Sequence, residues 1–139
     1  GKTALGIATS KAALPAMQVL ALSILCNVLV CLAVWMCFGA RTITDKVMVI
    51  VPPIAAFVAA GFEHCVANMY LLPFGLAIKY WGEPSFWSRT GLSAGNYAAL
   101  TPENVLQNIS VATVGNLIGG SLLVGIVYWF VYLRPRLRA

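Results

Sequence analysis

Apolar residues in this chain do not alternate with polar ones. They run on in three long blocks. The first extends from Ala12 to Phe38, with Gln18, Ser23 and Asn27 as its strongly polar members. A bilayer core of about 30 Å needs roughly 20 apolar residues per helix, so this block predicts a transmembrane helix over about 12–38. Pro15 falls near its start, where a helix tolerates proline. Trp35 lies near its end, as interfacial aromatics do, and Gly39-Ala40-Arg41 closes it.

The second block runs from Val47 to Ile78. As one helix it would measure about 48 Å at 1.5 Å per residue, too long for one ordinary span. Its middle reads Gly61-Phe62-Glu63-His64-Cys65-Val66-Ala67-Asn68, which places an acid, an imidazole and an amide at mid-depth. The block therefore predicts a broken helix over about 47–79. Pro52-Pro53 opens its first half, about 52–60; a link follows at about 61–64, and a second half at about 65–79. A broken span is tolerated only where protein or a water-filled cavity supports it.

The third block, Val105 to Leu133, predicts a helix over about 105–133. Gly115 and Gly119 have the spacing that lets helix backbones approach closely. Tyr128, Trp129 and Tyr132 precede a basic tail at 134–139. Residues 80–104 form a polar loop, in which Pro84-Ser85-Phe86-Trp87-Ser88 starts a short interfacial helix. The whole of 1–139 reads as one piece of an all-α membrane domain.

Composition supports the membrane assignment. The chain is 60% hydrophobic and 9% charged, against roughly 45–50% and about 25% in an average soluble domain. Its mean hydropathy is +0.87. This excludes a disordered tail, a collagen-like fibre, a disulfide-rich secreted module and most soluble enzymes. The net charge of +5 does not read as nucleic-acid binding, because the cations are scattered except at the C-terminus. With three crossings, Arg41, Lys46, Arg134, Arg136 and Arg138 share one side and Lys2, Lys11, Lys79 and Arg89 the other. That asymmetry places the C-terminus in the cytoplasm by a narrow margin. Cys26, Cys31, Cys37 and Cys65 fit no zinc or redox spacing and read as small apolar fillers. The chain begins with Gly1 and has no signal-peptide pattern, so it is expected to be a fragment or a processed piece.

Glu63-His64 is the feature that asks for chemistry. An ionisable residue at mid-membrane costs several kcal/mol and by default marks a pathway or a partner; the bland alternative is a neutral histidine that stitches the break to its neighbours. Free histidine titrates near pH 6.5. Apolar walls disfavour its charged form and a nearby anion favours it. An entering weak-acid anion therefore promotes the attractive state, and can leave as a neutral acid after taking the proton. Asn68, four residues on, shares a face with His64 and can hydrogen-bond a carboxylate oxygen. The N-terminus of the second half-helix adds a positive dipole end. Glu63 is expected to brace the broken backbone. Lys11 is either an attractor in a vestibule or an ordinary helix-end cation. Phe57 is either an apolar gate or packing.

The stretches Cys26–Met36, Gly61–Tyr70 and Gly115–Gly120, with Val124-Gly125 and Tyr128-Trp129, resemble the formate/nitrite transporter family. The resemblance covers most of the chain and is closest to the formate branch. It implies a homopentamer in the bacterial inner membrane, with one pore per six-helix, aquaporin-like protomer built from two inverted repeats. This chain would be the second repeat, helices four to six, and would need the N-terminal half of the same protein. The resemblance makes His64 the central pore histidine, Asn68 the pore asparagine, Glu63 the acid before the histidine, Phe57 a slit residue and Lys11 a vestibule lysine. Asn27 falls in a family motif and is expected to support the pore. Cys65 departs from the usual serine or threonine. The expected cargo is formate and related small monovalent anions such as nitrite, acetate and lactate, with pH-dependent passage. No cofactor, metal or enzymatic activity is expected. Nitrite and hydrosulfide channels are the alternatives within the family. A haem-binding membrane anchor, with His64 on the iron, or a purely structural membrane subunit are those outside it.

Overall fold

A computed structural model describes residues 1–134. The expected basic tail beyond Arg134 lies outside the described residues. The described chain is helical. It comprises α1 (Lys2–Ala12), α2 (Ala16–Met36), α3 (Ile43–Ala59), α4 (Cys65–Trp81), α5 (Pro84–Thr90), a 3₁₀ turn at Ala94–Tyr97 and α6 (Pro102–Leu117). Beyond α6 the helix continues in wider π turns over Ile118–Ile126 and Trp129–Leu133.

These elements form three rods, the first two interrupted. The first is α1 followed by α2, interrupted at 13–15. Pro15 sits in extended conformation as the N-cap of α2, a position where its missing N–H costs nothing. The second is α3 followed by α4, interrupted at 60–64. The third is α6 with its π continuation. Contacts fix their directions. Gly115 packs on Ser23 and Leu20, Gly119 on the backbone of Ile24, and Gly120 on Asn27 and Cys31. Trp35 then meets Tyr128 and Tyr132 edge-on, with ring centroids at 6.1 and 5.9 Å. Numbers rise together on both partners, so α2 and the third rod run parallel. A Cβ on Gly119 would collide with the Ile24 carbonyl, which is the close approach its spacing anticipates.

The chain departs from the sequence expectations in three places. First, α1 was not expected: the predicted helix begins near residue 12, whereas the rod begins at Lys2. The segment mixes Lys2, Thr3, Thr9, Ser10 and Lys11 with apolar residues, so it carries no long apolar run. Second, Pro52-Pro53 does not open the first half-helix. Both prolines lie inside α3, where they leave the Met48 and Val49 carbonyls without the usual donors. The start is set by a capping box: Asp45 N–H donates to Thr42 Oγ1 at 3.1 Å, and Thr42 N–H donates to Asp45 Oδ2 at 2.9 Å. Third, the last helix starts at Pro102, at the first helical position after its cap Thr101. The short helix expected at Pro84 is present as α5.

The break at 60–64 has a defined chemistry. Gly61 adopts φ +67°, a left-handed conformation that costs residues with a Cβ about 1–2 kcal/mol. Around it Phe62 N–H donates to Phe57 O at 3.0 Å and Gly61 N–H to Val58 O at 3.1 Å, the paired closure of a Schellman cap. His64 then forms the extended N-cap of α4.

Leu5, Ala8 and Ala12 of α1 pack with Leu72 of α4, Leu100 and Val105. Gly75 faces Ala8, which lets α1 lie against α4. Lys79 Nζ donates to Tyr97 O at 2.9 Å and Leu100 O at 2.7 Å, tying the 80–104 connection to α4. By contrast α3 buries none of its residues; Val47, Met48, Ile50, Val51 and Val58 are exposed. An exposed apolar surface of this extent fits lipid or another protein surface better than water. Two stretches, Ala16–Met36 and Ala94–Leu133, are long and apolar enough to cross a bilayer.

The Asp45 carboxyl is held below the usual carboxylate range, chiefly by the Thr42 backbone N–H, then by the Thr42 hydroxyl and the Arg41 N–H. A depressed value means that the cap is fully formed above about pH 4 and lost as pH falls through the lowered value. Amide exchange at residues 43–47 is expected to accelerate in that acid window. In Asp45→Asn the acid step is expected to disappear.

Candidate functional site

The helix breaks meet at one level. The polar residues there are Lys11 at the end of α1, Glu63 and His64 at the second break, Asn68 one turn into α4, and Asn108 and Asn116 on α6. Glu63, Asn68, Asn108 and Asn116 are all buried.

Glu63 is 1% exposed and its carboxylate is fully engaged. Lys11 Nζ lies 2.6 Å from Oε1. Asn68 Nδ2 donates to Oε2 at 2.5 Å, and Asn108 Nδ2 donates to the same oxygen at 3.3 Å. Asn68 Nδ2 also donates to Asn108 Oδ1 at 2.8 Å, and Asn108 Nδ2 to the Lys11 carbonyl at 3.1 Å. A charge so deeply placed is stable only when paired and hydrogen-bonded, and this one is both. The Lys11–Glu63 pair sums to zero charge.

The backbone of the second break is held from α6. Asn116 Oδ1 accepts from Cys65 N–H at 2.9 Å, while its Nδ2 donates to Glu63 O at 3.2 Å and Ser23 O at 2.7 Å. The Cys65 N–H and the Glu63 carbonyl are groups that an interrupted helix leaves without partners. Asn27 Nδ2 donates in turn to Asn116 O at 2.6 Å. Asn116 therefore clamps both residues flanking His64, and Asn27 clamps Asn116.

His64 stands apart from this network. It is half-buried, and its Nδ1 is buried with no hydrogen-bond partner among the described residues. The ring meets Phe57 edge-on at 6.0 Å between centroids, across the break. As N-cap of α4 it sits at the positive end of that helix.

Each residue singled out from sequence now has a place. Glu63 was expected to brace the backbone; its carbonyl does accept from Asn116, but its carboxylate is the anchor for Lys11, Asn68 and Asn108. Lys11 was expected as an attractor or a helix-end cation; its ammonium rests on Glu63 with 18% of the side chain exposed. Asn68 was expected to offer a donor to an anion; its amide nitrogen is engaged by Glu63 and Asn108. Its Oδ1 is buried without a partner among the described residues. Asn27 holds Asn116. Phe57 and His64 are in contact.

Asn108 was missed, and Asn116 was noted only within a motif. The available signal was their spacing of eight residues on one face of an apolar helix, where unpaired amides are costly.

A family model described as "Formate/nitrite transporter" matches residues 1–130. The chain belongs to the formate/nitrite transporter family. It is 46% identical over 118 residues to "Formate channel FocA" of Escherichia coli K12, covering 84% of this chain and 41% of that protein. It is 42% identical over 106 residues to "Formate channel FocA" of Haemophilus influenzae, covering 76% and 37%. The chain thus spans about two-fifths of the length of these relatives. Among solved structures it is similar to a "Pentameric formate channel with formate bound", with TM-score 0.86, 47% identity, and 94% of this chain and 52% of that chain covered. It is also similar to an "FNT family ion channel", with TM-score 0.72 and 32% identity, covering 92% and 45%. These relatives are transporters, not enzymes, and they do not favour a haem-anchor reading of His64.

The buried pair yields a prediction that belongs to packing. Removing one partner of a buried ion pair strands the other and costs about 3–5 kcal/mol. Glu63→Gln and Lys11→Met are each expected to lower the thermal midpoint substantially in detergent. The double variant is expected to recover part of the loss, because it leaves no unpaired charge.

Proposed function

We propose that this chain is the second inverted repeat of a pentameric inner-membrane channel for formate and related small monovalent anions. In this reading it crosses the bilayer three times, the middle crossing being the broken rod, with its C-terminus in the cytoplasm. The N-terminal half of the same protein supplies the facing wall of the pore. The observation that carries the reading is His64: an imidazole at a helix break, with a buried ring nitrogen that no described residue satisfies.

The proposed chemistry follows from what surrounds that ring. Behind it the Lys11–Glu63 pair is neutral, so no uncompensated carboxylate repels an anion. Beside it the N-terminus of α4 contributes partial positive charge. Phe57 narrows the approach with an apolar surface that passes neutral molecules more readily than ions. A formate ion that reaches His64 favours the imidazolium. Proton transfer from the imidazolium nitrogen to a carboxylate oxygen leaves neutral imidazole and formic acid, which crosses the apolar constriction. Solvent then restores the proton. Asn68, Asn108, Asn116 and Asn27 support the ring's position without needing to touch the anion. Nitrite and hydrosulfide remain substrates to compare, since the chemistry at His64 needs only a small weak acid.

In proteoliposomes made from the full-length protein, His64→Phe is expected to abolish the pH dependence of formate uptake across pH 5–8. An unchanged profile overturns the proton-linked role. Parallel uptake of formate, nitrite and hydrosulfide ranks the cargo. The 139-residue chain by itself is expected to conduct nothing, because the facing wall is absent; robust flux from it overturns the half-pore reading.

A further inference from the structure

The end of the molecule farthest from α5 has a feature the pore does not use. Because α2 and the third rod run parallel, their C-terminal turns lie side by side. Between them is a cleft of about 190 Å³ lined by Leu32, Trp35, Leu123, Val127, Tyr128 and Tyr132 among others, almost wholly apolar. Trp35 forms one wall, held edge-on by Tyr128 and Tyr132, which also stack obliquely on each other at 5.1 Å. Rings of this kind, apolar in body with one polar atom, settle at the headgroup level of a bilayer.

The same end collects cations. Arg134 follows the last turn of the cleft, its guanidinium 4.3 Å above the Phe130 ring. Arg41 lies just beyond the end of α2, and Lys46 stands in the first turns of α3. Among the described residues none of the three is in an ion pair. The acid at this end, Asp45, has its carboxylate on the backbone N–H groups of Arg41 and Thr42. The C-terminal dipole ends of the two parallel helices contribute about half a negative charge each, so the full charges of the three cations prevail.

We infer that the Trp35–Tyr128–Tyr132 cleft holds an acyl chain of an anionic diacyl phospholipid whose headgroup sits against Arg134 and Arg41. The inference rests on the membrane reading above. Charge decides the lipid class. The cleft accepts any acyl chain, but three cations without acidic partners select a headgroup of net negative charge, each strengthening binding by about fivefold near a membrane surface.

The test uses full-length protein, delipidated in detergent and titrated with phosphatidylglycerol or phosphatidylethanolamine of identical chains, with bound lipid counted by native mass spectrometry. Wild-type protein is expected to bind phosphatidylglycerol at least tenfold more tightly. Arg41→Gln, Lys46→Gln and Arg134→Gln combined are expected to bring the two lipids within about twofold. Leu123→Trp, which fills the cleft and leaves the charge unchanged, is expected to lose the bound phosphatidylglycerol. Equal binding of both lipids by wild-type protein overturns the proposal. So does an undiminished preference in both variants, or a cleft occupied by another part of the channel and closed to lipid. Formate flux recorded after the same proteins are reconstituted into proteoliposomes separates the two readings. Preference without flux upholds the lipid site and overturns the channel assignment, while flux without preference does the reverse.

Discussion

An interrupted helix inside an apolar body leaves N–H and C=O groups that water cannot reach, and each needs a partner from within the protein. Everything distinctive about this chain follows from how that demand is met. The two breaks are placed at one level, and the third rod supplies side-chain amides to both. Asn108 takes the Lys11 carbonyl at the first break, while Asn116 takes the Cys65 N–H and the Glu63 carbonyl at the second. Asparagine suits this work because one short side chain presents two donors and an acceptor. A clamped break is also a rigid one, so the residue between Glu63 and Cys65 is held at a fixed height and direction.

The buried ion pair serves the same end by another route. Its desolvation cost makes Lys11–Glu63 a poor device for raw stability, and an apolar pair of similar volume would fill the space more cheaply. What the pair adds is direction. It fastens the C-terminal end of α1 to the break in the second rod across 52 residues of sequence, while Asn68 and Asn108 fix the carboxylate from the other side. Because both charges are satisfied by each other, the electrostatic surroundings of the histidine are set by the α4 N-terminus and by whatever approaches the ring.

Much of this was legible in the sequence. The link at 61–64 followed from polar residues inside an apolar block, and Gly61 is the residue that turns the chain there. The GxxxG spacing anticipated a close helix–helix approach, although not that α2 is the partner or that the two run parallel. Other features were hidden for physical reasons. Proline rules led to a helix start at Pro52, yet in an apolar setting the rest of the helix tolerates two missing donors, and the true start was written in Thr42 and Asp45. No apolar run marks α1, because its buried stripe of Leu5, Ala8 and Ala12 is flanked by lysines, threonines and a serine. The sequence offers Lys11 as a vestibule attractor or a helix-end cation and Asn68 as a donor to an anion, and shows no partner for either. Their side chains are consumed by Glu63, and no spacing rule reveals a partner 52 or five residues away on another surface.

The asymmetry of burial bears on the role proposed for the histidine. The third rod buries Asn108 and Asn116 against the two breaks, whereas α3 buries none of its residues and ends in the turn that presents Phe57 to His64. A helix with no buried residue and a ring nitrogen without a partner among the described residues therefore adjoin. An imidazole sealed among the asparagines would find permanent partners and stay in one protonation state. One set on the uncovered side of a rigid break would, in the proposed pore, take its partner from what passes. A clamped backbone with an unclamped side chain is the arrangement that a proton-exchanging pore residue requires: the nitrogen must be in a defined place, and it must be free to gain and lose a proton there.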